Sequence, residues 1–568
     1  MAIGSFCLVL HSHLPYVLRH GTWPHGEDWL YEAAAETYLP LLALIDECQF
    51  LNAAPKMTVG LTPVLLEQLA HDDFKRGFVE YLHGRIAQAR ADKKEFESWG
   101  HGHLQYLASR WDDIFSKLLA QFNDIGRDIP KAFAQRRQAG LIDVLTSAAT
   151  HGYLPLLYED SCIRGQFRAG MASSKRILGF APGGAWLPEC AYRPAGPWHP
   201  PINWASKQDR IGIEYLAGDE GITHFFVEQH LIRDARSEWV NNGGHWQKVD
   251  WSEADKYPSR GWRSVHEPFL SGSDGLGPGS VAVLARDIEV CEQVWSGTIG
   301  YPAKGTYLEF HKRHGARRGL RYWKITGKGV DLGQKDIYYP DDVQGSIFQD
   351  AQHFCDSIKR RLWDYHNQTG RHGVVVASFD SELFGHWWFE GLTFLRDVVL
   401  TLNASSDVDL QTTSEFLAAH PPDKSVSMYS GSWGESGDHR VWTNDKVNWM
   451  WDIEYRCEAL FGRMTYDLPW RTDDNIKRVL EKAGRELLLL QASDWQFIIS
   501  RGQAIDYGIK RFIQHVSRFE TLIDLCDRLA NKTISLDSLN EVERHEIMDA
   551  DIHDVIFPNI DLNWWRMS

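Results

Sequence analysis

An α/β fold with a parallel sheet, followed by an all-helical C-terminal part, is what this sequence predicts. Three observations carry the prediction. Short apolar runs alternate with helical stretches through the first 420 or so residues, the pattern of a parallel sheet covered by helices. Several of these runs end in His, Asp, Glu or Trp, so polar groups gather at the carboxyl ends of the strands, on one rim, as in a barrel. Beyond about residue 420 the apolar spacing becomes that of amphipathic helices.

The first strand is expected over Ile3 to Leu10, leading into His11-Ser-His-Leu-Pro-Tyr16. Trp23-Pro-His-Gly-Glu-Asp-Trp29 reads as a loop, with a helix starting near Leu30, and Met57 to Leu61 as a second strand. Residues 74–95 are charged and helical in period. Phe96 to Trp99 reads as a short strand closed by Gly100-His-Gly-His103. A mostly helical stretch over 104–138, interrupted by Gly126 and Pro130, is long for one crossover and reads as a helical insertion. Further strands are expected over Leu141 to Thr146, Gly183 to Leu187, Ile222 to Val227 and Val281 to Leu284. The last is the run Val374 to Ala377, apolar and β-branched as in a strand buried on both faces. It ends abruptly in Asp380, Glu382 and His386, mixed with Phe384, Trp387 and Trp388. Seven or eight such strands suit a barrel.

Between Glu228 and Gly279 the alternation fails in a stretch rich in Gly, Ser and Trp, which reads as a lid-like loop. Residues 1–424 are therefore expected to form a barrel carrying the insertion at about 104–138 and the loop at 228–279. Residues 425–568 are expected to form a helical domain. There Ile476, Val479, Leu480, Ala483, Leu487 and Leu490 share one face, as do Ile505, Ile509, Phe512, Ile513, Val516, Phe519, Leu522, Ile523 and Cys526.

Composition narrows the function. A chain of 568 residues has room for two or three domains. Its net charge of −16 argues against nucleic acid or an anionic membrane as partner, since both demand basic patches. The eight cysteines are scattered without a C-x-x-C, as for free thiols in a reducing compartment. The apolar run after Met1 has no basic stretch before it and is too short to span a membrane, so a cytoplasmic protein is expected. Among 24 tryptophans most fill the core, but indoles beside other chemistry suit sugar rings, stacking on one face and donating an N–H to a hydroxyl.

Two acids, Glu189 and Asp380, each stand just past a predicted buried strand. Facing carboxylates can cleave a glycosidic bond, one as nucleophile or base and the other as acid. Capping a helix or pairing with an arginine, such as Arg193 beside Glu189, is the plain structural alternative. A rival chemistry lies in His11-x-His13, His101-x-His103, His151 and His386. An H-x-H on a strand puts both rings on one face and could hold a metal, as in a metal-dependent carbohydrate deacetylase. Alternatively these rings bond sugar hydroxyls or orient the carboxylates.

The motifs His11-Ser-His-Leu-Pro15, His151-Gly-Tyr-Leu-Pro155, Trp186-Leu-Pro-Glu-Cys-Ala-Tyr-Arg-Pro194, Phe379-Asp-Ser-Glu-Leu-Phe-Gly-His-Trp-Trp388 and the Trp433–Trp442 segment resemble, in order, those of glycoside hydrolase family 57. Within it they look most like the α-1,4-glucan branching enzymes. The resemblance implies a distorted (β/α)7 barrel with an inserted helical region and a C-terminal helical domain. It implies a retaining mechanism that needs no metal or cofactor, with Glu189 as nucleophile and Asp380 as acid/base. His11, His13 and His151 would line the sugar site at the bond cleaved. Trp23, Arg286, Trp295, Trp433, Trp442 and Asp494 would hold the glucan. The implied partner is an α-1,4-glucan such as amylose, amylopectin or a glycogen-like polymer.

What attacks the covalent intermediate decides the outcome: water gives an amylase, a 4-hydroxyl a 4-α-glucanotransferase, a 6-hydroxyl a branch. A non-catalytic glucan-binding protein would keep the cleft and turn nothing over. The resemblance implies a tyrosine on a mobile loop that keeps water out, and here the sequence departs: either Tyr257 or an aromatic such as Trp262 covers the site, or the lid is weakened and hydrolysis rises relative to branching. Tyr257 is the only tyrosine between Glu228 and Arg286, and Trp262-Arg-Ser-Val-His-Glu-Pro268 stands where the tyrosine-bearing run is expected.

Overall fold

The computed structural model describes residues 2–248, 263–273, 279–315, 318–535 and 538–566. Its strands, in chain order, are β1 (Gly4–Ser12), β2 (Met57–Leu61), β3 (Ile142–Ser147), β4 (Gly184–Trp186), β5 (Gly196–Trp198), β6 (Gln208–Arg210), β7 (His224–Glu228), β8 (Arg236–Asn242), β9 (His245–Lys248), β10 (Phe269–Gly272), β11 (Val281–Arg286), β12 (Gly373–Asp380), β13 (Val408–Leu410) and β14 (Lys424–Ser427). The order β12-β1-β2-β3-β4-β7-β11 runs parallel throughout, which makes seven barrel strands. Each lies where an apolar run was expected. All nine residues of β1 and seven of the eight in β12 are buried, as befits strands covered on both faces.

Among the described residues no ladder closes the ring. Between β11 and β12 the seam is carried by single contacts: Asp287 N–H donates to the Val376 carbonyl at 2.9 Å. His266 meets β12 twice, accepting from Val374 N–H and holding the Val374 carbonyl with its ring. From the helix Gln344–Thr369, Arg361 bonds both Asp287 and Glu289 across the same joint. This is the distortion of a seven-stranded barrel.

Two expectations are corrected. Phe96–Trp99 is no strand: Phe96 closes the buried stripe Phe74, Phe78, Leu82, Ala89 along one helix, Asp72–Ser98, and His101 caps the next, Gly102–Asp124. Helical spacing over that whole stretch outweighs four apolar letters at its end. The region 228–279 is not a bare loop. It holds a helix, Gln229–Arg233, the β8–β9 hairpin, and β10, which pairs with β11 and β14. The hairpin turns on Gly243-Gly244, both at positive φ, the backbone a tight two-residue turn requires. Tyr257 and Trp262 lie outside the described residues. Further along, Val265 and Glu267 are buried, and Glu267 pairs with Lys424 and Arg371, so this end of the run belongs to the core.

Helices Gly102–Asp124 and Ile129–Gln138 form the insertion stretch, parted at Gly126. After β14 come Asn448–Asp467, Asp474–Leu490, Ser493–Arg501, Ile505–Ala530 and Glu541–His553. On Asp474–Leu490 the expected face is buried throughout. On Ile505–Ala530 the face holds from Phe512 to Cys526, but Ile505, Ile509 and Ile513 project into solvent at its edge. One apolar core runs without a break from β1 through these helices to Trp565, so they fold against the barrel. Asp554, fully buried, pairs with His20 and Arg518, tying residues beyond the last helix to the N-terminal loop.

Candidate active site

The site is built on the carboxyl ends of β1, β3, β4 and β12. The parallel register pairs His11 with Asp380, so the His-Ser-His turn and the acid leave the sheet side by side. Asp380 is the last residue of β12. Just beyond it Glu382 accepts from the Tyr38 hydroxyl, and burial pushes its carboxyl up to about 8, so it acts as a neutral anchor for this turn.

Glu189 follows β4 in a short turn, Pro188–Cys190, and takes the left-handed conformation at φ 60°. His151 after β3 does the same at φ 60°. For residues with a Cβ this costs of order 1–3 kcal/mol each, and persists where neighbours hold it. The neighbours are visible. The Trp433 backbone N–H donates to the Glu189 carbonyl at 3.1 Å, and its indole N–H to Glu189 Oε2 at 2.7 Å. Tyr192 and Gly431 exchange two backbone hydrogen bonds beside it. His151 is held likewise, its carbonyl accepting from Ser493 N–H and its Nδ1 lying 3.1 Å from the Ser493 hydroxyl. A loop and a helix start of the C-terminal part thus fix two turns of the barrel rim. At Gly434 there is no room for a Cβ, which would press into the Trp442 ring at 2.7 Å.

The three histidines form a stack. His13 and His151 lie with ring centroids 3.9 Å apart, and His11 is sandwiched against Trp186. His13 Nε2 is 3.0 Å from both oxygens of Asp494, and Nδ1 is 3.1 Å from the Thr62 hydroxyl. His11 Nε2 meets His151 Nε2 at 3.1 Å. His13, His151 and Asp494 place donor atoms within 4.8 Å of one another, enough in number for a metal. The rings, however, are near-parallel, so their lone pairs lie in parallel planes and do not converge on a point. The nitrogens of both rings also already face hydrogen-bond partners. These bonds fix the orientation of the His13 and His151 rings. His101 and His103 lie elsewhere, capping a helix and meeting the Tyr338 carbonyl. His386 pairs with Glu36.

A cleft of about 280 Å³ brings together Glu189, Asp380, Arg286, Trp295, Trp433 and Trp442, with Glu435, Phe497 and Arg501 at its wall. Burial pushes both acids up, Glu189 to about 8 and Asp380 to about 6. The indole N–H opposes the rise at Glu189 and the negative charge of Asp380 adds to it. His13 and Arg286 restrain the rise at Asp380. Both acids are thus held above the ordinary carboxylate range, and as a pair they share a proton near neutral pH.

Some expected ligand-holding groups have other partners. Arg286 is buried, ion-paired to Glu228 at 2.6 Å and stacked over Trp433. Trp442 is 1% exposed, lying flat on Tyr153 with centroids 4.3 Å apart. Trp295 is partly exposed on the cleft, and Trp23 is half-exposed on the Gly21–Gly26 loop, outside the residues lining it. His11 is buried behind the other two rings. Glu228 escaped the sequence reading, although as an acid ending β7 it obeys the rule that singled out Glu189 and Asp380. Ser493 and the pair Tyr153–His439 carried no local signal.

Comparison with known proteins adds the following. The family described as Glycosyl hydrolase family 57 matches residues 7–429. One described as 1,4-alpha-glucan branching enzyme, C-terminal, matches residues 455–565. The chain is 37% identical over 541 residues to the 1,4-alpha-glucan branching enzyme TK1436 of Thermococcus kodakarensis, covering 95% of this chain and 75% of that protein. The crystal structure of that protein with glucose superposes at a TM-score of 0.87, with 34% identity over 100% of this chain and 97% of the other. The alpha-amylase AmyC of Thermotoga maritima superposes at 0.79, with 26% identity over 100% and 99% of the two chains. Among the described residues no helix is long and apolar enough to cross a membrane.

Proposed function

The chain belongs to glycosyl hydrolase family 57, and from that premise we propose that it is a 1,4-alpha-glucan branching enzyme. It cleaves an α-1,4 bond, keeps the severed chain on the protein, and passes it to a 6-hydroxyl to make an α-1,6 branch. The observation that carries this reading is the joining of the two matched segments at one site. His13 and His151, from the barrel, hydrogen-bond to Asp494 and Ser493, from the segment similar to the branching-enzyme C-terminal family. On this reading residues 1–424 are the catalytic barrel and 425–568 the helical domain that completes the site.

The chemistry follows from the pair. Asp380, protonated, gives its proton to the bridging oxygen as the bond to C1 breaks. Ionised Glu189 attacks C1 and forms a glycosyl ester, the first half of a retaining double displacement. Asp380, now a carboxylate, takes the proton of the incoming hydroxyl as that oxygen displaces Glu189. The productive arrangement has the shared proton on Asp380, and the Trp433 indole N–H favours it by stabilising the Glu189 carboxylate. His13, held by Asp494 and Thr62, is near enough to lower the values of both acids electrostatically. The aromatic walls of the cleft suit glucosyl rings. All eight cysteines are free and buried, which suits the cytoplasm and, with it, the synthesis of glycogen-like polymer.

A second reading, hydrolysis, is favoured by one observation: the tyrosine pattern of the lid is altered here, and water reaching the ester would release a free chain. Incubation with amylose separates the readings. Many new α-1,6 linkages after debranching, with few new reducing ends before it, are expected. Reducing ends without branches would make the protein an amylase, and redistributed linear chains with neither a 4-α-glucanotransferase.

A further inference from the structure

Trp387 has no part in the cleft, yet it is 51% exposed in a turn that is otherwise well buried. One face of its indole lies on the ring of Phe310, with centroids 4.2 Å apart and planes 27° from parallel. His386 meets both rings edge-on. His386 is itself fixed, its Nδ1 on Glu36 Oε2 at 2.7 Å and its carbonyl accepting from Arg321 at 3.0 Å. Arg321 in turn pairs with Glu36 at 3.1 Å and, with Arg313, stands by the ring of Phe310. A large apolar ring this exposed loses by contact with water, and an isolated one would be free to turn. This one is backed by a second ring and braced by ion pairs, so its open face is presented in a fixed orientation.

Position adds to this. Trp387 N–H donates to the Glu382 carbonyl at 3.0 Å, and Glu382 is two residues beyond Asp380. The platform therefore stands within about 15 Å of the acid by chain reach, on the rim where β12 ends. We propose that Trp387, backed by Phe310, is a further subsite that stacks on a glucosyl ring of an α-1,4-glucan a few units from the bond cleaved. A flat, pre-oriented indole with polar neighbours is what a pyranose face recognises, and its place outside the residues lining the cleft makes it a reader of chain length. The inference rests on the glucan reading above.

The test uses the full-length protein carrying Glu189→Gln, so that ligand is bound and not processed. Its affinity is measured by calorimetry for malto-oligosaccharides of rising length, from maltotriose to linear amylose. Affinity should rise with length in the parent, and Trp387→Ala should lose about five-fold on the long chains and nothing on maltotriose. Trp387→Phe should fall between. Trp363, 43% exposed on the helix Gln344–Thr369 and unbacked by a stacked ring, supplies the control: Trp363→Ala should follow the parent. Thermal melts establish folding, and if Trp387→Ala fails there, Trp387→Lys, whose apolar stem can cover Phe310, takes its place. Equal length dependence in the parent and the Trp387 variants, or an equal loss at every length, overturns the platform alone. A parent that binds no malto-oligosaccharide overturns the glucan reading, and the platform with it.

Discussion

The side chain and the backbone of Trp433 both bond Glu189: indole N–H to Oε2 at 2.7 Å, amide N–H to the carbonyl at 3.1 Å. One residue thereby holds the left-handed backbone of the acid and biases its charge. Trp433→Phe keeps the ring and the backbone bond and removes the donor. A hydrogen bond to a charged group is worth roughly 1.5–3 kcal/mol, so the Glu189 value should climb by about one unit. The alkaline limb of kcat/KM against pH should move up with it, and the plateau should drop about ten-fold as the productive tautomer becomes rarer. An unchanged alkaline limb would show that the indole bond does not set this equilibrium.

The wild-type profile should be bell-shaped. The acid pair gains a second proton below about 6 and loses its last above about 8, and only the singly protonated pair supports the reaction. Kinetics of branching measured across this window test it; a rate that stays level through pH 6 and pH 8 contradicts the pairing.

Glu189→Gln and Asp380→Asn should each lower the rate by at least ~10²–10⁴-fold while the protein melts as before. Loss of less than an order of magnitude in either would remove that residue from the reaction.

Asp494 holds His13 from the far end of the chain, 481 positions away. Asp494→Ala leaves the ring held by Thr62 alone, and kcat/KM should fall about ten-fold or more, while Asp494→Asn, which keeps one acceptor, should lose less. Steady-state kinetics on amylose would sink the idea if the two variants matched the wild type.

Asp554 is buried among His20, His515 and Arg518. Removing one member of a buried ionic cluster leaves the others uncompensated, at a cost of about 3–5 kcal/mol. Asp554→Asn should therefore lower Tm clearly in a calorimetric scan, without touching the acids of the cleft. A Tm within a degree or so of the parent would mean that the cluster contributes little.

The barrel was legible because its strands are buried on both faces, so runs such as Val374 to Ala377 carry no competing signal. Phe96–Trp99 was misread because four letters were weighed without the 27-residue helix they end. The β8–β9 hairpin was missed although Gly243-Gly244 announced it. In the site, the acids at strand ends and the His-x-His turn were visible as local patterns. What could not be read is who holds them. Trp433 and Glu189 lie 244 positions apart, and no spacing rule links a strand-end acid to an indole that distant. The same holds for the burial of His11 and Trp442, which only packing decides.

The seam between β11 and β12 has one more implication. Arg286 ends one of these strands and Asp380 the other, so the wall that carries a cation and the wall that carries the acid meet where no ladder joins them. Elsewhere around the ring, adjacent rim residues are spaced by a row of backbone bonds that cannot stretch singly. At this joint the spacing is set by two single backbone bonds, Asp287 to Val376 and Val374 to His266, and by the side chains of Arg361 and His266. On its other flank Asp380 is held by the ladder that pairs β12 with β1 over eight residues, so the joint leaves only one side of the acid without such a row.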